Sequence, residues 1–401
     1  MTPRNKVAGP REFIAISALL MATIALAIDM MLPAMDAIAI DFAFTESWQK
    51  PWIILGIFAG LMIGQLFFGP LSDAIGRKPA IQIGLGVFLI GTLVCAVADQ
   101  FTVFVLGRLI QGFGAASARI VTQAMIRDRF SGTEMARAMS FVMTIFILVP
   151  IFAPMIGQMV LWLGDWHAMF IVLAGFALTM MLWVGVRQPE THTERQPFSL
   201  RFIGTAIQAV LRTGKSMRFT LAAGISFGGL ISYLSAVQQI FQTIYKTGDW
   251  FAVLFGATAV AIALSSLVNA QIVRQHGMER ICRLAFNGQI IWSALHLGAM
   301  TVGWEPDLIA WLLYIVPVLF LMGLTFANLQ SVAMEPMGSI AGVAATVIGS
   351  MMTAISLLIG VLFSLVFEEQ LIWLIATFCL TGILARWLIS EPIKRLEIEA
   401  N

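Results

Sequence analysis

Two charged residues, Asp29 and Arg108, lie inside long apolar segments of this chain. A charge in hydrocarbon costs about 2.5–3.5 kcal/mol even on the more lenient insertion scale, so such residues persist mainly where they pair, face water or carry ions. A carboxylate can gain and lose a proton as its surroundings change, whereas an arginine stays charged. The two residues therefore indicate a transporter, with Asp29 as the better proton site.

Arg108 belongs to a polar face on its predicted helix. Arg108, Gln111, Ala115 and Arg119 recur at helical spacing, and at ~100° per residue Arg119 lies only about 20° from Arg108 around the axis. This face must meet protein or water rather than lipid. We expect Asp29 and Arg108 to lie at similar depth, where a direct pair or a water-bridged network is feasible. The alternative is a static buried pair that holds two helices together.

Composition defines the class of protein. The 401 residues are 59% apolar and 11% charged, with a mean hydropathy of +0.89, whereas soluble domains carry about 25% charged residues. The chain is therefore predicted to be an all-α polytopic membrane protein. The net charge of +2 indicates no particular partner, and we expect none among nucleic acids. Cys95, Cys282 and Cys379 lack the spacing of a metal or disulfide site, and we expect no metal.

Apolar runs broken by proline, glycine or charge predict twelve membrane-spanning helices. The predicted spans are 12–34, 51–69, 80–98, 101–126, 135–161, 167–187, 218–240, 251–271, 280–301, 307–331, 342–367 and 371–390. The longest polar interruption divides them six and six. We therefore predict a six-helix bundle over 1–187, a cytoplasmic linker over 188–217 and a second six-helix bundle over 218–401.

The basic residues set the predicted orientation. Of the 24 lysines and arginines, Arg108 and Arg119 lie within spans, and only Lys50 and Lys246 lie on one side of the predicted membrane. The others lie on the opposite side, with the N-terminus, the linker and the C-terminal tail. By the positive-inside rule both termini are predicted to be cytoplasmic.

An internal repeat supports the division into halves. Aligning Asp73, between spans 2 and 3, with Arg274, between spans 8 and 9, places Gly76 on Gly277 at an offset of about half the chain. Two six-helix halves around a midplane site are the architecture of alternating-access carriers.

The segment from Gly69 to Lys78 mixes glycines with one acid and two bases at a predicted cytoplasmic turn. Gly69 would allow a neighbouring helix to approach, and Gly76 would permit a positive φ. Asp73 could complement the N-terminus of the helix that starts near Gly342 in the other half, and so latch that side shut. The alternative is an ordinary basic turn that anchors two helices.

The fifth predicted span contains Pro150, Pro154 and Gly157. Two prolines four residues apart remove two backbone hydrogen bonds on one side, and Gly157 allows close approach. A kinked helix at the interface between the halves is one interpretation, and a passive kink is the other.

The second half has almost no buried charge. Its polar candidates are Tyr233, Gln238, Asn269, Asn287, His296, Asn328 and Gln330. The 23 methionines, including Met30 beside Asp29, offer adaptable apolar surface for varied compounds.

With these residues in view, the chain resembles the major facilitator superfamily. The segment 69–78 is similar to its loop signature between helices 2 and 3, and the segment RLIQG at 108–112 resembles the helix 4 signature of its drug:proton antiporters. The Bcr/CflA branch, the bicyclomycin and chloramphenicol resistance exporters, is more similar still. Its resemblance is carried by DMMLP at 29–33, IRD at 126–128, 150–157, Trp166-His167, Asn328, Glu335-Pro336 and Ala341-Gly342.

The resemblance implies a proton-coupled exporter in which Asp29 is the coupling carboxylate and Arg108 its partner. It also implies a cytoplasmic gate at Asp73, Arg77 and Lys78. The chain departs from the family pattern at three positions. A single glycine, Gly157 followed by Gln158, replaces the usual glycine pair, Met30 stands where tyrosine is common, and Arg119 adds a second cation.

The resemblance places 154–157 in the antiporter helix and implies a monomer in the bacterial inner membrane, with the proton gradient as energy source and no cofactor. The residues that we expect to contact substrate are Asp29, Met30, Arg108, Gln111, Arg119, Tyr233, Gln238 and Asn328.

The leading hypothesis is alternating-access export of small amphipathic drugs similar to chloramphenicol and bicyclomycin. A second hypothesis is a carrier of the same fold that exports an anionic metabolite and uses Arg108 and Arg119 as its clamp. An intramembrane enzyme or receptor is less favoured, because the sequence contains no HExxH, Cys/His or nucleotide-binding motif.

Overall fold

The computed structural model describes residues 8–192, 195 and 200–390. All regular elements in this part of the chain are helices. The α-helices are α1 Pro10–Asp29, α2 Met35–Asp41, α3 Trp52–Ile75, α4 Arg77–Ala96, α5 Phe101–Arg129, α6 Gly132–Leu163, α7 Trp166–Arg187, α8 Leu200–Arg212, α9 Gly214–Gln238, α10 Phe251–His276, α11 Met278–Thr301, α12 Leu308–Met334, α13 Ala341–Val366 and α14 Leu371–Leu388.

Twelve of the described helices have at least 18 residues, one for each predicted span. Eleven of the described helices are both long and apolar enough to cross a membrane. The remaining long helix, α11, has 24 residues, but Asn287, Gln289 and His296 lower its mean hydropathy. The all-helical membrane fold predicted from the sequence is confirmed.

The chain divides into two compact units. One comprises the residues up to Phe44 together with Trp52–Ile203, and the other comprises Thr45–Pro51 and the residues from Gly204 onward. The predicted linker 188–217 contains the 13-residue helix α8, which was not predicted. The boundaries proposed for the two bundles stay predictions.

In the first unit, α5 packs between α3 and α4 and also contacts α1. Glycines bring these backbones together. A Cβ at Gly112 would stand 2.0 Å from the carbonyl oxygen of Ile57 in α3, and one at Gly114 would stand 2.5 Å from that of Gly84 in α4. Real Cβ atoms do not approach so closely, so this packing requires glycine at both positions. The polar face of α5 is held between three helices as a result.

In the second unit, α9 packs against α12, α13 and α14, while α12 also contacts α10 and α11. One lysine joins three of its segments. The Lys215 Nζ lies 3.2 Å from Glu279 Oε1 at the start of α11 and 2.8 Å from Glu335 Oε2 just after α12. This ion-pair cluster fixes the ends of these helices relative to α9.

The turn between α3 and α4 is shorter than predicted. The sequence suggested a turn from Gly69 to Lys78, but α3 continues through Pro70 to Ile75, and Gly76 alone separates the two helices. Gly76 has a φ of +103°, and Gly277, which alone separates α10 from α11, has a φ of +75°. The positive φ predicted for Gly76 is confirmed, and the shared conformation supports the alignment of these two glycines.

Candidate functional site

Asp29 is the last residue of α1, at a break in the helix. Pro33 has no N–H, so the carbonyl oxygen of Asp29, four residues earlier, lacks its helical donor. The chain passes through a turn and the short 3₁₀ helix Leu32–Ala34 before helical geometry resumes in α2. Predicted span 12–34 therefore ends too early, because the helical path continues to Asp41. At this break the Asp29 residue therefore carries both a side-chain carboxylate and a carbonyl oxygen that lacks its helical hydrogen bond.

The Asp29 side chain is buried, with 4% of its surface exposed. Within the described residues its carboxyl group forms no hydrogen bond and no ion pair. Its neighbour Met30 is equally enclosed, with 1% exposed. A buried carboxyl group without a partner is costly in its charged form, so its protonation is sensitive to any change in its surroundings.

Arg108 is fully buried and joins three helices. Its Nε donates to the carbonyl oxygen of Ile53 at 2.7 Å, and its Nη1 donates to the carbonyl oxygen of Ala27 at 3.0 Å and to Gln111 Oε1 at 2.7 Å. Nη2 is buried and has no partner among the described residues. Arg108 thus lies at the depth of Ala27, two residues before Asp29, and keeps one donor unused.

The direct Asp29–Arg108 pair suggested by the sequence does not form. Both residues are in the described part of the chain, and no ion pair or hydrogen bond joins them. The physical reason is that the guanidinium is oriented by backbone carbonyl oxygens of Ile53 and Ala27 and by Gln111. The two groups are therefore close in depth, but among the described residues only the guanidinium has hydrogen-bond partners.

Gln111 extends the hydrogen-bond network into α4. Its Nε2 donates to Thr92 Oγ1 at 2.9 Å, and the Thr92 hydroxyl donates to the carbonyl oxygen of Phe88 at 2.7 Å. Gln111 and Thr92 are both fully buried. Gln111 therefore accepts from Arg108 and donates to α4, which fixes the orientation of its amide.

Arg119 lies on the same face of α5 as Arg108 and is half-buried. Among the described residues it makes no hydrogen bond and no ion pair. Thr122, one turn further, is fully buried, and its Oγ1 also has no partner among the described residues. This stretch of α5 contains polar groups whose bonding capacity is unused.

Helix α6 contacts α1 and the 3₁₀ helix that follows it. Pro150 and Pro154 lie inside this continuous helix. The closest approach is at Gly157, where a Cβ would stand 2.1 Å from the carbonyl oxygen of Met30. The close contact anticipated for Gly157 is present with one glycine instead of the family's pair, and it adjoins the Asp29 break.

Charged residues join the α3–α4 turn to the end of α5. Arg77 donates through Nη1 to Asp73 Oδ1 and, at 2.8 Å, to Ser72 Oγ. Its Nε donates to Asp128 Oδ2 at 2.9 Å. Ser72 in turn donates to the carbonyl oxygen of Gly69 at 2.8 Å. The cap that Asp73 was expected to provide for the helix near Gly342 involves the other unit and stays a prediction.

Glu190 caps α4 and was not among the residues predicted from the sequence. The backbone N–H of Arg77 donates to Glu190 Oε1 at 2.9 Å, and that of Lys78 donates to Oε2 at 3.1 Å. Lys78 Nζ also donates to the carbonyl oxygen of Gly185 at 2.7 Å. The sequence feature that could have indicated this role is an acidic residue directly after Pro189, at the end of a span. A carboxylate there can stabilise the N-terminus of a neighbouring helix.

Two polar candidates of the second unit, Tyr233 and Gln238, bond to other side chains of that unit. The Tyr233 hydroxyl lies 2.9 Å from Thr258 Oγ1, and Gln238 Nε2 donates to Gln242 Oε1 at 2.9 Å. A π-helical turn, Gln239–Ile244, follows α9 directly. Such turns are frequent at functional sites, and this one was not predicted.

Asn328 in α12 pairs with Asn269 in α10. Asn328 Nδ2 donates to Asn269 Oδ1 at 2.7 Å, and Asn269 Nδ2 donates to Asn328 Oδ1 at 3.3 Å. Asn328 Nδ2 also donates to the carbonyl oxygen of Leu324 at 2.8 Å. Most of the bonding capacity of Asn328 is therefore used in holding two helices together.

Comparisons with known proteins agree with this architecture. A family model described as Major Facilitator Superfamily matches residues 17–361. The "Uncharacterized MFS-type transporter YdgK" of Bacillus subtilis (strain 168) is 31% identical over 330 residues, which cover 80% of this chain and 81% of that protein. The "Bicyclomycin resistance protein homolog" of Haemophilus influenzae is 29% identical over 339 residues, which cover 83% and 84%.

The fold is also similar to solved structures. The xylose transporter XylE from E. coli has a TM-score of 0.74 with 13% sequence identity, over 94% of this chain and 95% of that chain. At this identity the likeness concerns the fold alone.

Proposed function

This chain belongs to the major facilitator superfamily, and from that premise we propose that it exports small amphipathic drugs in exchange for protons. It is a membrane protein and a transporter of small molecules rather than an enzyme. The drug-like substrate class is supported by the similar proteins named as bicyclomycin and multidrug resistance proteins. Buried Met30 beside Asp29 suits varied apolar compounds.

The observation that carries the proposal is the buried carboxyl group of Asp29 at the α1 break, which has no partner among the described residues. In this mechanism a proton from the periplasm neutralises Asp29, and the drug leaves outward. Loss of that proton toward the cytoplasm restores the drug-binding state. Arg108 cannot titrate, so it positions the helices around Asp29 and influences its proton affinity by its charge.

The gate in this proposal is the network of Asp73, Arg77 and Asp128, with Glu190 holding the start of α4. Its bonds cross from α4 to α3 and α5, so they can break and reform only if those helices shift relative to one another. Gly157 and the prolines of α6 allow a second moving contact beside Asp29.

The orientation of the transporter in the membrane is inferred from its charge distribution. In the proposed bacterial inner membrane both termini are cytoplasmic, because the basic residues cluster on that side. The proton gradient supplies the energy, with no cofactor, and the working unit is the monomer. Among the substrate candidates, Arg119 offers unused donors, whereas Tyr233 and Asn328 already hold side-chain bonds.

Transport into inside-out membrane vesicles tests the proposal. With a proton gradient, acidic inside, vesicles containing the wild-type chain should accumulate radiolabelled chloramphenicol, and a protonophore should abolish the uptake. Asp29→Asn should accumulate none. Asp41→Asn is the matched control, because Asp41 is exposed and accepts from Trp166 Nε1 at 3.1 Å, a bond that an amide oxygen can also accept. Uptake that persists with the protonophore would contradict proton coupling.

A further inference from the structure

Arg119 differs from the other arginines of α5 that the structure buries at least in part. Arg108 donates to two backbone carbonyl oxygens and to Gln111. Arg129 donates to the carbonyl oxygen of Ala8 at 3.0 Å and lies 4.5 Å from the ring centroid of Phe13. Arg119 has no such acceptor among the described residues. In the part of the chain that the structure describes, Arg108 and Arg129 therefore have hydrogen-bond acceptors and Arg119 has none.

The lack of an acceptor for Arg119 among the described residues matters because this arginine lies within a membrane span. It lies eleven residues beyond Arg108 on a 29-residue helix, so it is roughly 16 Å further along the axis and about 20° around it. A charged group within a membrane span without a partner is costly and marks a functional site by default. The side chain is half-buried, so a ligand can reach it.

The charges of the first unit favour one sign of ligand. Along α5, away from its ends, the charged residues are Arg108 and Arg119, and both are cations. Asp29, close in depth to Arg108, offsets one of these charges only when it is itself charged. No acid within hydrogen-bonding distance neutralises either arginine in the described part of the chain.

Thr122 provides a second, independent observation. Its side chain is fully buried, and Oγ1 has no hydrogen-bond partner among the described residues. It lies three residues from Arg119, so both side chains are on neighbouring parts of the same face. A hydroxyl beside a guanidinium is a suitable donor pair for the oxygens of an acid group.

We propose that the substrate carries an anionic group, such as a carboxylate, phosphate or sulfonate, which Arg119 binds with the help of Thr122. This inference rests on the proposed function and names the substrate class of the same transporter. The planar guanidinium matches the geometry of such a group with two parallel hydrogen bonds. The compound is then an amphipathic anion rather than a cationic drug.

Binding of a matched series of compounds tests the proposal. Chloramphenicol succinate is anionic, chloramphenicol is neutral, and the free amine left after removal of the dichloroacetyl group is cationic, while all three share the nitrophenylpropanediol body. Calorimetric titration of the purified full chain in detergent should show the succinate binding about tenfold tighter than the amine. Arg119→Gln should weaken succinate binding about tenfold.

Two further variants separate charge from folding. Arg119→Lys keeps the charge but loses the paired donors, so it should bind the succinate more weakly than the wild type and more tightly than Arg119→Gln. Arg127→Gln removes an exposed arginine of the same helix and should have no effect. Thermal unfolding of Arg119→Gln in detergent at the wild-type temperature shows that this variant is folded. Wild-type protein that binds the succinate no tighter than the amine overturns the proposal, as does succinate binding that Arg119→Gln leaves intact.

The binding measurement needs no proton gradient. If proton coupling is wrong, vesicle uptake of chloramphenicol will not depend on the gradient, while the succinate still binds tighter than the amine. If anion recognition is wrong, the succinate will bind no tighter than the amine, while chloramphenicol uptake still depends on the gradient. The two claims therefore fail separately.

Discussion

Gly157 of α6 lies directly against the carbonyl oxygen of Met30, the residue that follows Asp29. A Cβ at Gly157 would stand 2.1 Å from that oxygen. The carbonyl belongs to the turn that interrupts helical geometry between α1 and the 3₁₀ helix Leu32–Ala34. Any change in the distance between α6 and this turn therefore alters the surroundings of Asp29, which links a helix contact to a proton site.

Gly157→Ala should destabilise the protein and impair transport. The added methyl group clashes with backbone, which cannot rotate away, so we expect a cost of about 1–3 kcal/mol for forcing α6 from the turn. The measurements are thermal unfolding in detergent and gradient-driven chloramphenicol uptake. Gly175→Ala in α7 is the control, because a Cβ there meets nothing within 4 Å. Equal behaviour of the two variants would rule out the tight contact.

Arg108→Lys should fail to replace arginine although the charge is kept. A lysine has a single nitrogen and cannot reproduce the fork that reaches Ile53, Ala27 and Gln111 together. Losing one charge-assisted hydrogen bond costs about 1.5–3 kcal/mol, so we expect uptake to fall at least about tenfold. Arg127→Lys, at an exposed position of the same helix, should transport normally. Full activity of Arg108→Lys would show that charge alone suffices.

Gly76→Ala should cost more than Gly277→Ala. Both glycines have a positive φ, a conformation that costs other residues about 1–3 kcal/mol. At Gly76 the new Cβ would also stand 2.5 Å from Glu190 Oε2, whereas at Gly277 it meets nothing within 4 Å. Displacing Glu190 removes the cap of α4, typically about 1 kcal/mol. Unfolding temperatures of the two variants, with Glu190→Gln as a third, measure the difference. Equal losses would argue against a capping role for Glu190.

Asn328→Leu should act mainly on stability. Its amide pairs with Asn269, and side-chain hydrogen bonds within membranes contribute about 0.6 kcal/mol on average and about 1.7 at most. The double variant Asn269→Leu with Asn328→Leu should lose less than the sum of the two single losses, because neither amide is then left unpaired. Additive losses of stability, or loss of drug binding in Asn328→Leu alone, would instead support a direct substrate contact.

Features that depend on local sequence were predictable. Apolar runs gave the long helices because a membrane-spanning helix needs about 20 apolar residues, and Gly76 was identified because few other residues adopt its φ. A close helix contact at Gly157 was predicted because glycine has no side chain and lies near two prolines. The turn at 69–78 was predicted too long, because α3 tolerates Pro70 within the helix.

Features that depend on packing between helices were not predictable. Helical spacing placed Arg108 near Asp29 in depth, but its bonds depend on where the carbonyl oxygens of Ile53 and Ala27 lie once three helices have packed. The Asn269–Asn328 pair also joins two helices whose relative rotation no local pattern fixes. Glu190 lies more than 100 residues from the helix that it caps, so only the folded chain reveals its role.

The most direct test of the account is drug-induced proton release from proteoliposomes that contain the purified full chain. Chloramphenicol added to wild-type protein or to Asp41→Asn should release protons, whereas Asp29→Asn should release none and still bind the drug, because the amide has nearly the same shape but cannot exchange a proton. Proton release by Asp29→Asn that equals the wild-type signal would contradict the central claim that Asp29 couples proton movement to export.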